Sequence, residues 1–410
     1  MCVFLPIPAT QIWYTNFVNK NIKELLFLHF LNDGARYSFA LMLPFIAKDL
    51  SLNLTHAGFL GATQPFLIVL VSLPAGFIAA SLGGFRLLVN LLFVYAIGAL
   101  IVASAPNLLI LIPGFLLGAA GFGMFHTVGY TLIARNSEKE KVDRNMGDFT
   151  SIGDIGRILL PPLLISLIPL FGWRVAMVVL GVVGFISFFI FRFFVAVKDE
   201  QPAVIKQERF QDFFKQTIVL FKKKRLLLGT FTGMMDGLAS SPIYLFLPFL
   251  LLSKGINTAQ LAIITACFFA GSIAGKNILG RLVDMFGNRK VFILSEISMA
   301  ASIVLLVVND NFLVLLALSI LLGIFTKGTI SVIQAMLSTL SDKSNYNKMY
   351  GMTELLIGIA CVAGEIGMGF VGNSFGVQMI FYACAALGIL AILPALFAIP
   401  RKIASSTVPS

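Results

Sequence analysis

Two segments of the chain carry the same ionic arrangement: Asn32 and Asp33 followed by Arg36, and Asp154 followed by Arg157. A carboxylate and a guanidinium three residues apart share one face of a helix, so each pair is expected to close within its own helix. Both lie inside long apolar runs, where an ionisable group costs about 2.5 to 3.5 kcal/mol on insertion scales unless it is paired or faces a cavity. Asp33, near the middle of its run, is pulled two ways: desolvation favours the neutral acid and Arg36 the anion. That is the chemistry of a group able to bind and release a proton. Further along, Asp236, Lys276, Lys327, Glu354 and Glu365 interrupt other apolar runs, and His126 sits in GMFHTVGY. Each also has a plainer role to weigh, an ion pair or hydrogen bond that merely fastens helices together.

A different concentration of charge falls in GRLVDMFGNRK, Gly280 to Lys290. Two glycines seven apart permit a tight turn and close helix approach, and the carboxylate of Asp284 could sit at the positive end of another helix. The plainer alternative is a solvated turn whose charges only set topology.

The elements that must hold these residues follow from composition. The 410 residues are 58% hydrophobic and 12% charged, with mean hydropathy +0.94, whereas soluble domains carry about 25% charged residues. Apolar stretches long enough to cross a bilayer recur along the chain. They are placed at 22–46, 57–80, 87–105, 108–134, 148–171 and 173–197, then at 226–252, 258–280, 289–308, 312–340, 349–373 and 376–400. The expected fold class is an all-α integral membrane protein of twelve transmembrane helices in two pseudo-symmetric six-helix bundles. The expected division is an N-terminal bundle (1–197), a linker (198–224) and a C-terminal bundle (225–410).

Within the linker, Phe210, Phe213, Phe214, Thr217 and Phe221 recur at helical spacing, which suits either an amphipathic surface helix or a solvated connector. Most of the 30 basic residues fall on one side of the twelve spans, the outer loops holding only Lys48, Arg174 and Lys254. That bias places both termini in the cytoplasm. The net charge of +11 is then accounted for by anionic phospholipid, with no nucleic acid required. The first sixteen residues lack a basic n-region, so no secretory signal is expected. Cys2, Cys267, Cys361 and Cys384 have neither metal-ligand nor redox spacing.

The two groups of six resemble each other. One constant offset lays Pro44 on Pro248, Gly76 on Gly280, Gly83 on Gly287, Gly147 on Gly351, Phe171-Gly172 on Phe375-Gly376 and Gly184 on Gly388. This is the pattern of a parallel internal repeat.

In that setting Gly280, Leu282, Asp284, Gly287, Arg289 and Lys290 resemble the signature loop of the major facilitator superfamily, with Met285 and Asn288 departing from its usual basic residues. The first-half counterpart, GFIAASLGGFR, keeps Gly76 and Gly83 but has Ala80 for the acid. The resemblance implies that spans 1, 4, 7 and 10 line a central path. That makes Asn32, Asp33, Arg36, His126, Asp236 and Lys327 the first cavity candidates, joined by Asp154, Arg157, Glu354 and Glu365. It also implies that Gly280, Asp284, Gly287, Arg289 and Lys290 form a gate, Asp284 meeting the start of span 5 near Gly147. HFLND of span 1, Phe125-His126 and G-D-I-G-R followed by Pro161-Pro162 are similar to the fosmidomycin-resistance-like branch of drug efflux proteins, although Thr127 replaces that branch's proline.

The function these readings imply is secondary active transport of a small molecule by alternating access, by proton-coupled efflux, with proton-coupled uptake of a small metabolite as the alternative and a non-transporting membrane scaffold or sensor as the remote one. Na⁺ is the other coupling ion to weigh. Asp33 is the first proton carrier, Asp236 the second and Asp154 the third. No nucleoside-triphosphate loop, metal-spaced cluster or nucleophile motif is present, so no enzyme, catalytic residue, cofactor or metal is expected. The expected setting is a monomer in a bacterial inner membrane.

Overall fold

The computed structural model describes residues 20–195, 210–342 and 345–398. Cys2, the N-terminal stretch used for the signal reading, most of the linker before Phe210 and the C-terminal tail lie outside the described residues. The first helices are α1 (Lys20–Asp49), α2 (Leu54–Leu82), α3 (Gly84–Ser104), α4 (Leu108–Gly123), α5 (Phe125–Asn136) and α6 (Val142–Phe193). They are followed by α7 (Phe210–Phe221), α8 (Lys224–Ser253), α9 (Thr258–Phe286), α10 (Asn288–Val308), α11 (Phe312–Ser338), α12 (Tyr346–Phe375) and α13 (Val377–Ala398).

Two sequence-based spans differ in detail. The fourth is two helices, α4 and α5, interrupted at Met124. The fifth and sixth run together as α6, which turns at Gly172 (φ 78°, ψ 165°), a conformation open to glycine because it lacks a Cβ. Among the described residues ten helices are long and apolar enough to cross a membrane. Counting the two legs of α6 separately and adding α1, whose charges set it apart from the others, gives twelve crossings.

The internal repeat is written in the turns. Among the described residues six have positive φ, and they form three pairs at the offset already seen in sequence: Ser51 with Gly255, Gly83 with Gly287, and Gly172 with Gly376. The helix starts repeat as well. Asn53 and Asn257 cap α2 and α9, accepting at 2.9 Å from the backbone N–H of His56 and of Gln260. Asn107 and Asn311 cap α4 and α11 in the same way. An asparagine at this position satisfies a donor that the helix itself cannot. Helices α2 and α9 are each 29 residues long, and α3 and α10 are each 21.

The two sets of helices meet along α2 against α12 and α6 against α9. At the first contact a Cβ on Gly58 would come within 2.5 Å of the Glu365 carbonyl oxygen, and one on Gly369 within 2.8 Å of that of Leu54. Glycine therefore lets the two backbones touch at the end carrying the α1–α2 turn. At the opposite end the Gly280–Lys290 turn stands clear: a Cβ at Gly147 or Gly280 would find no atom within 4 Å, and Asp284 is exposed, with no hydrogen bond or ion pair among the described residues. The expected contact of Asp284 with the start of span 5 is thus not made in this conformation. The linker helix α7 packs on α12 and α8, with Thr217 and Leu220 buried.

At the end carrying the α1–α2 turn the first set of helices is fastened within itself by side chains. Asp49 accepts hydrogen bonds from Arg174 and from Trp173 Nε1 (3.2 Å), while Arg174 also donates to the Ala105 carbonyl at 3.1 Å. These bonds, with the guanidinium adjacent, hold the Asp49 carboxyl below its usual range. A depressed acid stabilises the fold above its unfolded-state pKa, and that contribution disappears as pH falls through the folded value. The Asp49 side chain is 46% exposed, so the contribution is limited to about 1 kcal/mol or less. Asp49→Asn is expected to lower the unfolding temperature of the purified protein slightly at pH 7. Unfolding scans should show wild type and variant converging as pH drops below the carboxylate range.

Candidate functional site

Asp33 is fully buried (0% exposed) in α1. Its carboxylate pairs with the guanidinium of Arg157 and lies 3.3 Å from His29 Nε2 and 3.3 Å from His126 Nε2. Asn32 Nδ2 donates to it at 3.2 Å. Arg157 also reaches Asp154 (2.7 Å), and Asp154 receives Lys276 Nζ from α9 at 2.9 and 3.0 Å. Asp33, Arg157, Asp154 and Lys276 therefore form one network, running from the core of the first set of helices across to the second.

The Asp33–Arg36 pair expected from the sequence is not formed. Residues three apart on a helix differ by about 60° around its axis. Asp33 faces α5 and α6, while the Arg36 guanidinium lies 5.5 Å from the Tyr37 ring centroid and makes no ion pair. Lys276, which the sequence places beside the gate turn, instead bridges the two halves.

The glycine spacing of G-D-I-G-R explains how the network is built. A Cβ on Gly156 would meet the Phe30 carbonyl oxygen at 2.2 Å, and one on Gly153 would meet the His29 ring at 2.5 Å. These two positions admit α1 while Asp154 and Arg157, between and beyond them, project into the ionic layer. The His29 ring stacks on Phe149 (centroids 4.0 Å apart) and Phe125 (5.5 Å). Its Nδ1–H donates to the Phe149 carbonyl oxygen at 2.7 Å. In a neutral ring that bond leaves Nε2 as an acceptor, with His126 Nε2, 3.2 Å away, as its donor. His126 has 29% of its side chain exposed, whereas the Asp33 side chain beside it has none.

His29, Asp33 and His126 offer ligand atoms within 4.8 Å of one another, close enough to share a metal ion. Arg157 already neutralises the carboxylate, however, and would repel a dication at that distance.

Other predicted residues lie elsewhere. Glu365 is buried and accepts a hydrogen bond from Ser241. Tyr244 donates from its hydroxyl to the Tyr37 carbonyl oxygen (2.8 Å), and Tyr37, Tyr244 and Phe269 form an aromatic cluster joining the halves. Lys327 is half-buried on α11 and makes no ion pair among the described residues. Asp236 is buried on α8 beside Glu296 of α10. Glu354 is exposed and joins no cluster. A groove of about 460 Å³ between α9, α10 and α11, lined by Ile278, Leu282, Phe286 and Leu294, lies outside the network. His29, Tyr37 and Glu296 were not singled out from sequence. The signal for His29 was present, since it precedes Asp33 by four residues and so shares its helix face.

Twelve membrane crossings in two repeated sets of six, with charges buried between them, define a secondary transporter fold. The sequence profile of the Major Facilitator Superfamily matches residues 25–249 and 229–410, and the chain belongs to that family. A metabolite transport protein of Haemophilus influenzae is 24% identical over 88% of this chain and 90% of its own length. The multi-drug resistance efflux pump PmrA of Streptococcus pneumoniae is 24% identical over 70% of this chain and 73% of its own. A protein of Cupriavidus necator named as a sulfoacetate transporter is 21% identical, and the match spans 64% of each chain. Among solved structures, the nucleoside transporter NupG superposes with a TM-score of 0.80 at 14% identity, covering 93% of this chain and 100% of that one. A bacterial homologue of the lysosomal transporter Spinster, in an inward-facing and occupied conformation, superposes at 0.77 with 13% identity, covering 94% and 97%. These likenesses establish the fold.

Removing one partner of a buried ion pair leaves an uncompensated charge and costs about 3 to 5 kcal/mol. Arg157→Leu is therefore expected to be strongly destabilised, Arg36→Gln nearly unchanged, and the double variant Asp33→Asn/Arg157→Leu partly restored. Thermal unfolding of the four purified proteins checks the order. Equal losses for Arg36→Gln and Arg157→Leu would contradict it.

Proposed function

We propose that the chain is a proton-coupled exporter of a small molecule, with Asp33 as the proton carrier and His126 as its access. The observation that carries this reading is the buried His29–Asp33–His126 set, bonded through Arg157 and Asp154 to Lys276 of the other half. A proton entering from the cleft passes through His126 to an Asp33 oxygen. The neutral acid no longer holds the guanidinium as an ion pair. Arg157 is then free to shift its charge toward Asp154, which weakens the grip of Asp154 on Lys276. Proton binding is in this way linked to the bridge between the halves. Tenfold to hundredfold tighter proton binding facing one compartment than the other corresponds to about 1.4 to 2.7 kcal/mol.

Arg36 and Lys327, two cations without carboxylate partners beside the Tyr37–Tyr244–Phe269 cluster, are the proposed docking groups for an anionic moiety on the cargo. The sulfoacetate transporter among the relatives fits a cargo of that charge. Export is supported by the likeness to PmrA and by HFLND, Phe125-His126 and G-D-I-G-R. Uptake is the second reading, because other relatives are named as transporters of a metabolite rather than as efflux pumps, such as the minor myo-inositol transporter IolF of Bacillus subtilis. The proposed orientation has both termini in the cytoplasm of a bacterial inner membrane, the chain acting as a monomer. In that orientation this conformation is open to the inside, and the Gly280–Lys290 turn closes onto the start of α6 in the opposite state.

In proteoliposomes under an imposed pH gradient, Asp33→Asn is expected to abolish accumulation while leaving substrate exchange at equal pH measurable. The direction of gradient that drives accumulation distinguishes export from uptake. Accumulation against a gradient by this variant would make Asp33 a purely structural partner of Arg157. Asp284→Asn is expected to insert and fold normally but to transport more slowly, because the closing contact with a helix N-terminus weakens by roughly 0.3 to 2 kcal/mol. Unchanged rates in the same vesicles would reduce the turn to a topological signal.

A further inference from the structure

We propose that Asp236 and Glu296 hold one proton between them, forming a second proton site in the second half of the chain, independent of Asp33. Asp236 on α8 is 3% exposed and Glu296 on α10 is 0% exposed, with their carboxyl groups side by side. Both Glu296 oxygens and Asp236 Oδ1 lack a hydrogen-bond partner. Two carboxylates have only acceptors to offer each other. Burying both as anions would place like charges in contact in a medium that screens them poorly. One proton resolves both difficulties, because the protonated acid donates to its neighbour and a single negative charge remains.

The surroundings favour a proton over a larger ion. From α11, Lys327 lies within electrostatic reach of Asp236 without forming an ion pair, and the Thr329 hydroxyl lies beside Asp236. That hydroxyl already donates to the Thr326 carbonyl oxygen at 3.3 Å. From α12, Cys361 is the titratable group within reach of Asp236. From α13, Gly388 closes the wall, since a Cβ there would come within 2.9 Å of Glu296 Oε2. Hard cations take roughly six or more oxygens, and the two carboxyls and Thr329 fall short of that number. Lys327 ties the pair to the proposed cargo groups, because it is within electrostatic reach of Asp236, Tyr37 and Glu365 alike. A change in proton occupancy is thereby felt at the proposed cargo site.

The test is labelling of the full chain in proteoliposomes by a hydrophobic carbodiimide, which requires a protonated carboxyl, followed by peptide mass mapping. Label on Glu296 or Asp236 at neutral pH is expected in wild type and equally in Asp33→Asn. In Glu296→Gln it should be lost from both positions, because the amide donates to Asp236 and leaves it an anion. Glu296→Asp, which keeps an acid at the position, should retain label. In active protein the pH dependence of transport should shift in Glu296→Gln, a change that a purely structural pair would not produce. If Glu296→Gln does not fold, the wild-type pH series decides: label that falls as pH rises supports the pair. Absence of label at neutral pH, or protection by Na⁺ at constant pH, would overturn the shared proton.

Discussion

A single ion pair, Asp33 with Arg157, constrains the rest of the first half. A carboxylate with no exposure cannot stay charged without a partner, and the nearest source of positive charge is on α6. Bringing a guanidinium to it requires α1 and α6 to approach backbone to backbone, which Gly156 against Phe30 permits. Once Arg157 is committed there, its second arm reaches Asp154 Oδ1, and Lys276 shares that oxygen and also binds Oδ2. The bridge between the halves is thus the last link of a chain that begins with the desolvation of one aspartate.

The two halves share geometry but not chemistry. Their turns, caps and helix lengths repeat at a constant offset. Asp236 is the rough counterpart of Asp33, yet it has an acid for a neighbour where Asp33 has an arginine. The same backbone frame therefore holds a compensated ion pair on one side and an undercompensated acid pair on the other. Symmetry governs where the helices cross. Side chains decide where charge can reside.

The fold was legible because its signals are local. Apolar runs, the glycines at Gly83, Gly172, Gly287 and Gly376, and the asparagines before helices all act within a few residues of themselves. The site was legible in its membership more than in its connections. Asp33, Arg157, Asp154 and His126 could be named because each is costly in a membrane, but spacing along one helix suggested Arg36 as Asp33's partner. Choosing between Arg36 and Arg157 depends on the rotation of α1 against α6, which is a tertiary quantity. Glu296 escaped notice for the opposite reason. No other ionisable residue lies within five positions of it along α10, and only packing places it against Asp236.

The compensation of Asp33 is complete within α1, α5 and α6, and this bears on how the chain is made. Segments enter a bilayer in order of synthesis, and domains tend to fold as units with the earlier one first. His29, Asp33, His126 and Arg157 all belong to the portion synthesised first, so its most expensive charges find their partners before the later helices exist. Only Asp154 waits for Lys276, and Arg157 accompanies it meanwhile. The nascent first half can accordingly rest in lipid as a settled body, against which the second half docks.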